Sequence, residues 1–107
     1  MPRSFHVYVV ELDLGVLERA AFRKRNPQYR PGKRCAYVGS SVRPPDVRFD
    51  QHKAGYKANR FAREFGVRVI PELVTRYNPI PSRKDAVEIE EYLAERLRSE
   101  GWGIWQG

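Results

Sequence analysis

Two tyrosines, an arginine, a histidine and a glutamate are the side chains from which a site could be built. Tyr8 and Tyr37 lie in two successive segments that predict β-strands. Arg48 and His52 are four residues apart in a segment that predicts a short helix, so they share one helix face. The hydroxyls and the imidazole can hydrogen-bond and titrate, and the guanidinium is a fixed positive charge that suits anions.

Glu90 is the acidic residue that departs from the pattern of its predicted helix. At about 100° per residue, Glu90 lies roughly 40° from the centre of the apolar stripe of that helix. The stripe consists of Ala86, Leu93 and Leu97. A carboxylate on a face that packs on the core has to be paired, protonated or bound to a metal ion, because burying it alone is costly. The alternative is a glutamate at the edge of the stripe that reaches solvent or pairs with an arginine.

Strands and short helices are predicted around these residues. The predicted strands are 5–12, 34–39 and 68–74. The predicted helices are a short one around 14–22, then 47–53, 57–65 and a final helix that ends at about residue 99. Asp46 and Ser82 are the expected N-caps, and Pro71 favours an edge position or a bulge for the third strand. The tail at 102–105 is expected to fold back onto the core through its tryptophans.

Length and composition predict one domain, residues 1–107, with a compact core. No run of about 18 apolar residues is present, and residues 1–4 do not resemble a signal peptide, so a cytoplasmic protein without a membrane segment is expected. The single cysteine, Cys35, cannot form an internal disulfide, and it is expected to be a small strand residue rather than a nucleophile.

The charge distribution favours a polyanionic partner. Twenty Lys and Arg residues against 13 Asp and Glu give a net charge of +7. Residues 1–84 hold 18 basic against 7 acidic residues, whereas residues 85–107 hold 2 against 6. A basic body with an acidic terminal segment suits a nucleic-acid-binding protein that also holds a cation, although ribosomal and membrane-surface proteins share the basic charge.

Taken in order, four short motifs resemble those of the GIY-YIG nuclease family. They are His6-Val7-Tyr8, Tyr37-Val38-Gly39, Arg48-x-x-x-His52 and Ala86-x-x-x-Glu90. The match extends over roughly residues 5–97, and the order and spacing are more specific than any single motif. His6 and Val7 stand where the family has Gly-Ile, so the first motif keeps only its tyrosine.

The resemblance implies an α/β (α+β) fold with a small three-stranded antiparallel sheet flanked by helices. It also implies a metal-dependent DNA endonuclease, with Mg²⁺ or Mn²⁺ bound through Glu90. In that assignment Tyr8 orients or deprotonates the attacking water, and Arg48 stabilises charge on the phosphoryl oxygens. Tyr37 and His52 complete the hydrogen-bond network, although His52 could also be a histidine at a helix end without a chemical role.

DNA contacts are expected from Gly39, Lys53, Lys57 and Arg60. The expected substrate is DNA, with branched and single-stranded forms as candidates, in a role such as DNA repair within the nucleoid. A protein partner could supply specificity, and a monomer is favoured. The alternative function is a catalytically silent or partner-dependent DNA-binding module of the same fold.

Overall fold

A four-stranded mixed sheet forms the centre of the molecule in the computed structural model, which describes residues 4–107. The strands are β1 (His6–Leu12), β2 (Cys35–Ser41), β3 (Gly66–Val69) and β4 (Gly103–Gln106). They lie in the order β3-β1-β2-β4. β1 is antiparallel to both β2 and β3, and β2 is parallel to β4. The prediction about a signal peptide at residues 1–4 lies largely outside the described residues.

The prediction of a three-stranded antiparallel sheet is wrong, because the tail adds a fourth strand, β4, which is parallel to β2. Ile104 is fully buried, which confirms that the tail packs on the core. Its backbone N–H donates to the side-chain oxygen of Asn26 at 2.7 Å, and the Gly103 N–H donates to the carbonyl of Arg34. A parallel pair needs a long connection between its strands, and the last helix is part of that connection.

Four α-helices flank the sheet. They are α1 (Ala20–Arg25), α2 (Pro45–Lys53), α3 (Arg60–Phe65) and α4 (Arg83–Ser99), and short 3-10 helices lie at Leu14–Glu18 and Pro71–Leu73. α4 confirms the predicted final helix, and the Ser82 side chain accepts from the Asp85 N–H as its N-cap. β3 is an edge strand, as Pro71 suggested, but it ends at Val69 because the chain turns into the second 3-10 helix at Pro71.

Two predicted helix starts are wrong. α3 begins at Arg60 rather than at residue 57, because Lys57 has a φ of 45° and Asn59 is the N-cap. The Asn59 side chain accepts from the backbone N–H groups of Phe61 and Ala62. α2 begins at Pro45, with Pro44 at its N-cap, so Asp46 lies in the first turn instead of capping the helix. Proline suits this first position because its missing N–H would have had no partner in the helix.

The sheet has a hydrophobic cluster on each face. One face packs against α4, and its buried residues include Val7, Val9, Ala36, Val38, Ala86, Leu93, Ala94 and Leu97. The other face packs against α1 and α3, and its buried residues include Tyr8, Val10, Leu12, Cys35, Tyr37, Phe22 and Phe61. Cys35 is buried, and burial raises the pKa of its thiol to about 11, so it is a packing residue at neutral pH. In the described range no helix is long and apolar enough to cross a membrane.

Candidate active site

Tyr8, Tyr37 and His52 form a buried aromatic cluster on the α1/α3 face of the sheet. Their exposed fractions are 2%, 6% and 1%. The ring centroids of the two tyrosines are 6.0 Å apart, and that of His52 lies 5.9 Å from Tyr8 and 5.3 Å from Tyr37. The predicted strands and helix therefore bring together three of the five expected catalytic residues, which are separated by up to 44 positions in the chain.

The hydrogen bonds of His52 define its tautomer. The backbone N–H of Asn59 donates to Nδ1 of His52 at 3.0 Å, so this nitrogen has no hydrogen. Burial, together with the charge of Arg48, lowers the pKa of His52 to about 4, so the ring is neutral at pH 7. The hydrogen of the neutral ring then lies on Nε2, which is 2.9 Å from the Tyr8 hydroxyl oxygen. His52 is therefore a hydrogen-bond donor to Tyr8.

Both tyrosines are held in their protonated form by their surroundings. Burial is the main cause that raises the pKa of Tyr8 well above its usual range, and the neighbouring Tyr37 and the carboxylate of Glu90 raise it further. Arg48 opposes this rise. Burial also raises the pKa of Tyr37, and the facing Tyr8 hydroxyl favours the ionised form of Tyr37. Tyr8 can act as a proton acceptor only if additional positive charge offsets its burial.

Gly39 provides the space that the Tyr8 hydroxyl occupies. Tyr8 and Gly39 are direct partners across β1 and β2. A Cβ atom at Gly39 would lie 2.6 Å from the Tyr8 hydroxyl oxygen and 2.8 Å from Cζ of the same ring. Steric space therefore explains the glycine at the end of the Tyr37-Val38-Gly39 motif, because a larger residue at this position would displace Tyr8.

Gly39→Ala is expected to destabilise the fold by about 1–3 kcal/mol, the usual cost of overpacking a filled core. Tyr8→Phe removes the nearest clashing atom, so the Gly39→Ala/Tyr8→Phe double variant should recover part of that loss. Urea denaturation of the four proteins in this cycle gives the coupling free energy. Tyr37→Phe is the control, because its hydroxyl is not among the atoms nearest to the added methyl group. Equal coupling for both tyrosines would contradict this explanation.

Glu90 is buried on α4 with an exposed fraction of 4%, which decides between the alternatives that its position beside the apolar stripe left open. It forms no salt bridge with any residue in the described range. Burial raises the pKa of its carboxyl group, whereas hydrogen bonds from Gln106 and Ser40 lower it. The Gln106 amide nitrogen donates to Oε2 of Glu90 at 2.8 Å. The edge-of-stripe alternative, a solvent-exposed or arginine-paired glutamate, is therefore wrong for the described residues.

The surroundings of Glu90 fit a hard divalent cation. Its carboxylate is an oxygen ligand whose charge is not neutralised by a basic side chain of residues 4–107, and Tyr8 and Tyr37 lie close enough for its charge to raise their pKa. Within the same residues, no three His, Cys, Asp or Glu side chains come together as a ligand set. A cation here would have one carboxylate ligand and several water ligands, an arrangement that Mg²⁺ accepts.

Arg48 lies next to this cluster but also holds a loop. One terminal nitrogen donates to the Gln51 side chain at 3.3 Å and to the Tyr56 carbonyl at 3.1 Å. The other donates to the Lys57 carbonyl at 2.7 Å. A guanidinium has five N–H groups, so about two remain for an anion. Arg48 therefore connects the cluster to the loop between α2 and α3.

The expected DNA-contact residues differ in their surroundings. The Lys53 amine donates to the carbonyls of Arg63 and Gly66 at the end of α3, each at 3.0 Å. Lys57 lies in the loop held by Arg48, with its amine 5.7 Å from the centroid of the Tyr56 ring. Arg60 is exposed, and its guanidinium lies over Phe61 and Trp105. The Lys53 amine is therefore engaged in hydrogen bonds that stabilise the end of a helix. The charged groups of Lys57 and Arg60 contact aromatic rings instead.

His6 lies two residue pairs from Tyr8 along the sheet, opposite Ser41. Side chains alternate along a strand, so His6 points to the same face as Tyr8. It is half-buried, and its Nδ1 atom is buried without a hydrogen-bond partner in residues 4–107.

Sequence reasoning missed two residues that hold the site together, Asn59 and Gln106. Asn59 both caps α3 and donates from its backbone to His52, and an asparagine before an apolar helical segment is a signal that could have shown the cap. Gln106 belongs to β4 and contacts Glu90, which is 16 residues earlier. No local pattern signals that contact, because it depends on the parallel pairing of β4 with β2.

Comparisons with known proteins show no family for this chain. No protein-family model matches the sequence, and no curated protein or solved structure matches it significantly. Its function has to be inferred from the geometry of the site itself.

Proposed function

We propose that this protein is a metal-dependent DNA endonuclease that hydrolyses one phosphodiester bond at a time. The observation on which the proposal depends is the burial of Glu90 without a basic partner in residues 4–107. Its charge reaches Tyr8 and Tyr37 and raises the pKa of both hydroxyls. A buried, unneutralised carboxylate within electrostatic reach of two tyrosine hydroxyls suits a cation, and the Arg48 guanidinium near the same tyrosines suits a phosphate. The basic charge of residues 1–84 suits DNA.

Glu90 would hold Mg²⁺ or Mn²⁺, and water would supply the other ligands. When bound, the cation would supply Lewis-acid stabilisation of the scissile phosphate and the leaving oxygen. The Gln106 amide would keep the carboxylate in one orientation, because it holds Oε2 at 2.8 Å. This role needs no second acidic residue.

Tyr8 would accept the proton of the attacking water on its hydroxyl oxygen. A bond forms between the water oxygen and phosphorus while the bond from phosphorus to the leaving sugar oxygen breaks. Tyr8 has to be ionised for this transfer. The Nε2–H of His52 and the charge of Arg48 favour the ionised form, whereas burial opposes it. The remaining N–H groups of Arg48 would neutralise charge on the phosphoryl oxygens.

A catalytically silent or partner-dependent DNA-binding module is the second candidate. It is favoured by one specific observation, which is that Arg48 donates to two loop carbonyls and to Gln51. In such a module Arg48 would hold the loop, and the tyrosine cluster would be part of the core.

A time course with supercoiled plasmid and Mg²⁺ or Mn²⁺ tests the nuclease against the silent module. One carboxylate and one tyrosine cluster hold one phosphodiester, so open circles should appear first and linear DNA should lag. Cleavage should stop with a chelator. Linear DNA formed directly at low enzyme concentration would contradict action on one strand at a time. A purified protein that binds DNA and cuts none of the plasmid, or of a panel of nicked, branched and single-stranded DNAs, would favour the silent module.

A further inference from the structure

The loop between α2 and α3 presents an exposed aromatic side chain beside Arg48. Tyr56 is 57% exposed, so most of its ring faces solvent. The loop is nevertheless well held, because the Tyr56 N–H donates to the Gln51 carbonyl at 2.9 Å, and Arg48 donates to the carbonyls of Tyr56 and Lys57. Tyr56 is therefore an exposed ring on a backbone with a defined position.

Backbone strain marks the same loop. Lys57 has a φ of 45°, a conformation that costs a non-glycine residue on the order of 1 kcal/mol or more and persists only where surrounding contacts enforce it. Here the enforcing contact is the Arg48 guanidinium, which also lies beside the proposed phosphate site. Strain of this kind is concentrated at ligand sites, so the loop is a candidate for contact with the substrate.

The chemistry of the adjacent cavity fits a nucleotide. The cavity has a volume of about 250 Å³. It is lined by Ser41, Val42, Arg43, Arg48, Gln51, Tyr56 and Lys57. Three of these side chains are cationic and can bind phosphate, whereas Tyr56 and the exposed Val42 are apolar and can contact a base. Among residues 4–107, no acidic side chain lines it.

We infer that this cavity binds one unpaired nucleotide of the DNA substrate, next to the phosphate that is cut. The base stacks on the Tyr56 ring, and its phosphate lies between Arg43 and Lys57. Lys57 covers one side of the ring at 5.7 Å, which leaves the opposite side for the base. A base inside a duplex is stacked on its neighbours, so only an unpaired base can offer its face to a surface tyrosine. The inference rests on the proposed nuclease function. It implies that the protein prefers DNA with a single-stranded segment as its substrate.

Fluorescence anisotropy with the 107-residue Glu90→Gln protein tests this site without cleavage. The probes are labelled duplex DNA and the same duplex with a single-stranded flap. Tyr56→Ala in this background should raise the Kd for flap DNA by about tenfold, the order expected for one stacked base, and the Kd for duplex DNA by less than about twofold. Tyr56→Phe should preserve flap binding. Tyr92→Ala is the matched control, because Tyr92 is a similarly exposed tyrosine, 53%, on α4.

A second readout uses 2-aminopurine as the unpaired base. Stacking on Tyr56 should quench its fluorescence, and Tyr56→Leu, which keeps a large side chain, should abolish the quenching. Equal losses of affinity for duplex and flap DNA, or unchanged quenching with Tyr56→Leu, would overturn the stacking site. If the parent protein cuts no DNA with Mg²⁺, the proposed function is wrong, whereas the binding comparison still decides the role of Tyr56. If it cuts and Tyr56→Ala changes neither binding nor quenching, only the stacking site is wrong.

Discussion

Glu90→Gln should reduce Mg²⁺-dependent cleavage at least about a thousandfold and should raise the melting temperature in metal-free buffer. Glutamine keeps the shape of the side chain and can still accept the hydrogen bond from Gln106, but it has no charge for a cation. The gain in stability is expected because the variant no longer buries a carboxylate without a basic partner in residues 4–107. Activity and stability should therefore change in opposite directions.

The pH dependence of the stability gain follows from the direction of the pKa shift. The pKa of Glu90 is raised in the folded protein, so its contribution to stability is fully present below the ordinary carboxyl pKa of about 4.5 and is lost as the pH rises through the folded-state pKa. The difference in melting temperature between Glu90→Gln and the parent should be small near pH 4 and larger at pH 7. Thermal denaturation across this range measures it directly.

The metal assignment has a readout that does not depend on cleavage. Mn²⁺ or Mg²⁺ that binds only the folded state should raise the melting temperature of the parent protein and leave Glu90→Gln unchanged. Glu91→Gln is the control, because Glu91 is the exposed neighbour on the same helix and should keep both the shift and the activity. A Glu90→Gln protein that cuts DNA at the parent rate would exclude Glu90 as the cation ligand.

The parts of the structure that were predictable are those with a local pattern. β1 and β2 were predicted to within two residues, because their β-branched and aromatic residues are concentrated in short segments. Helical periodicity placed Glu90 beside the apolar stripe, but from the helix alone a buried and a solvent-exposed or arginine-paired carboxylate both stayed open. These are also the elements that contribute Tyr8, Tyr37 and Glu90, so the main features of the candidate site were accessible from sequence.

The parts that were not predictable depend on contacts between distant or irregular segments. β4 has only four residues, and its partner β2 lies far away in the sequence, since Gly103 pairs with Cys35. The tail was therefore predicted to pack on the core but was not predicted to be a strand. The start of α3 was missed because Lys57 adopts a positive φ that its sequence does not require. The same loop determines which donors of Arg48 remain free, and periodicity carries no information about side-chain hydrogen bonds to a loop.

Tyr8→Phe should lower the turnover number by about 10²- to 10⁴-fold, the range for loss of a general base, while the Kd for DNA changes by less than about twofold. The hydroxyl is buried and its proposed contact is with the attacking water, so it adds little to binding of the ground state. Lys57→Ala should do the reverse, because an exposed amine binds phosphate equally before and during the reaction. It should weaken binding and reduce its salt dependence by about one counterion.

The pH profile of turnover distinguishes a proton acceptor from a residue that only packs. Burial raises the pKa of Tyr8 above its ordinary value of about 10, so at saturating metal the ionised fraction is small and rises about tenfold per pH unit between pH 6 and 9. The logarithm of the turnover number should rise with a slope near one in the parent protein and in the Tyr92→Phe control. In Tyr8→Phe the slope should be close to zero. His52 adds no step near pH 6.5, because its lowered pKa of about 4 keeps it neutral throughout.

Loss of the Tyr8 hydroxyl also leaves the Nε2–H of His52 without its partner, which should cost about 1–3 kcal/mol of stability. The kinetic comparison therefore has to be made well below the melting temperature of Tyr8→Phe, with the folded fraction measured by circular dichroism in the same buffer. Under those conditions a Tyr8→Phe protein that keeps both the parent turnover number and the slope of one would show that Tyr8 is a core tyrosine. The proton would then leave by another route, and the cluster of Tyr8, Tyr37 and His52 would be part of the core on that face of the sheet.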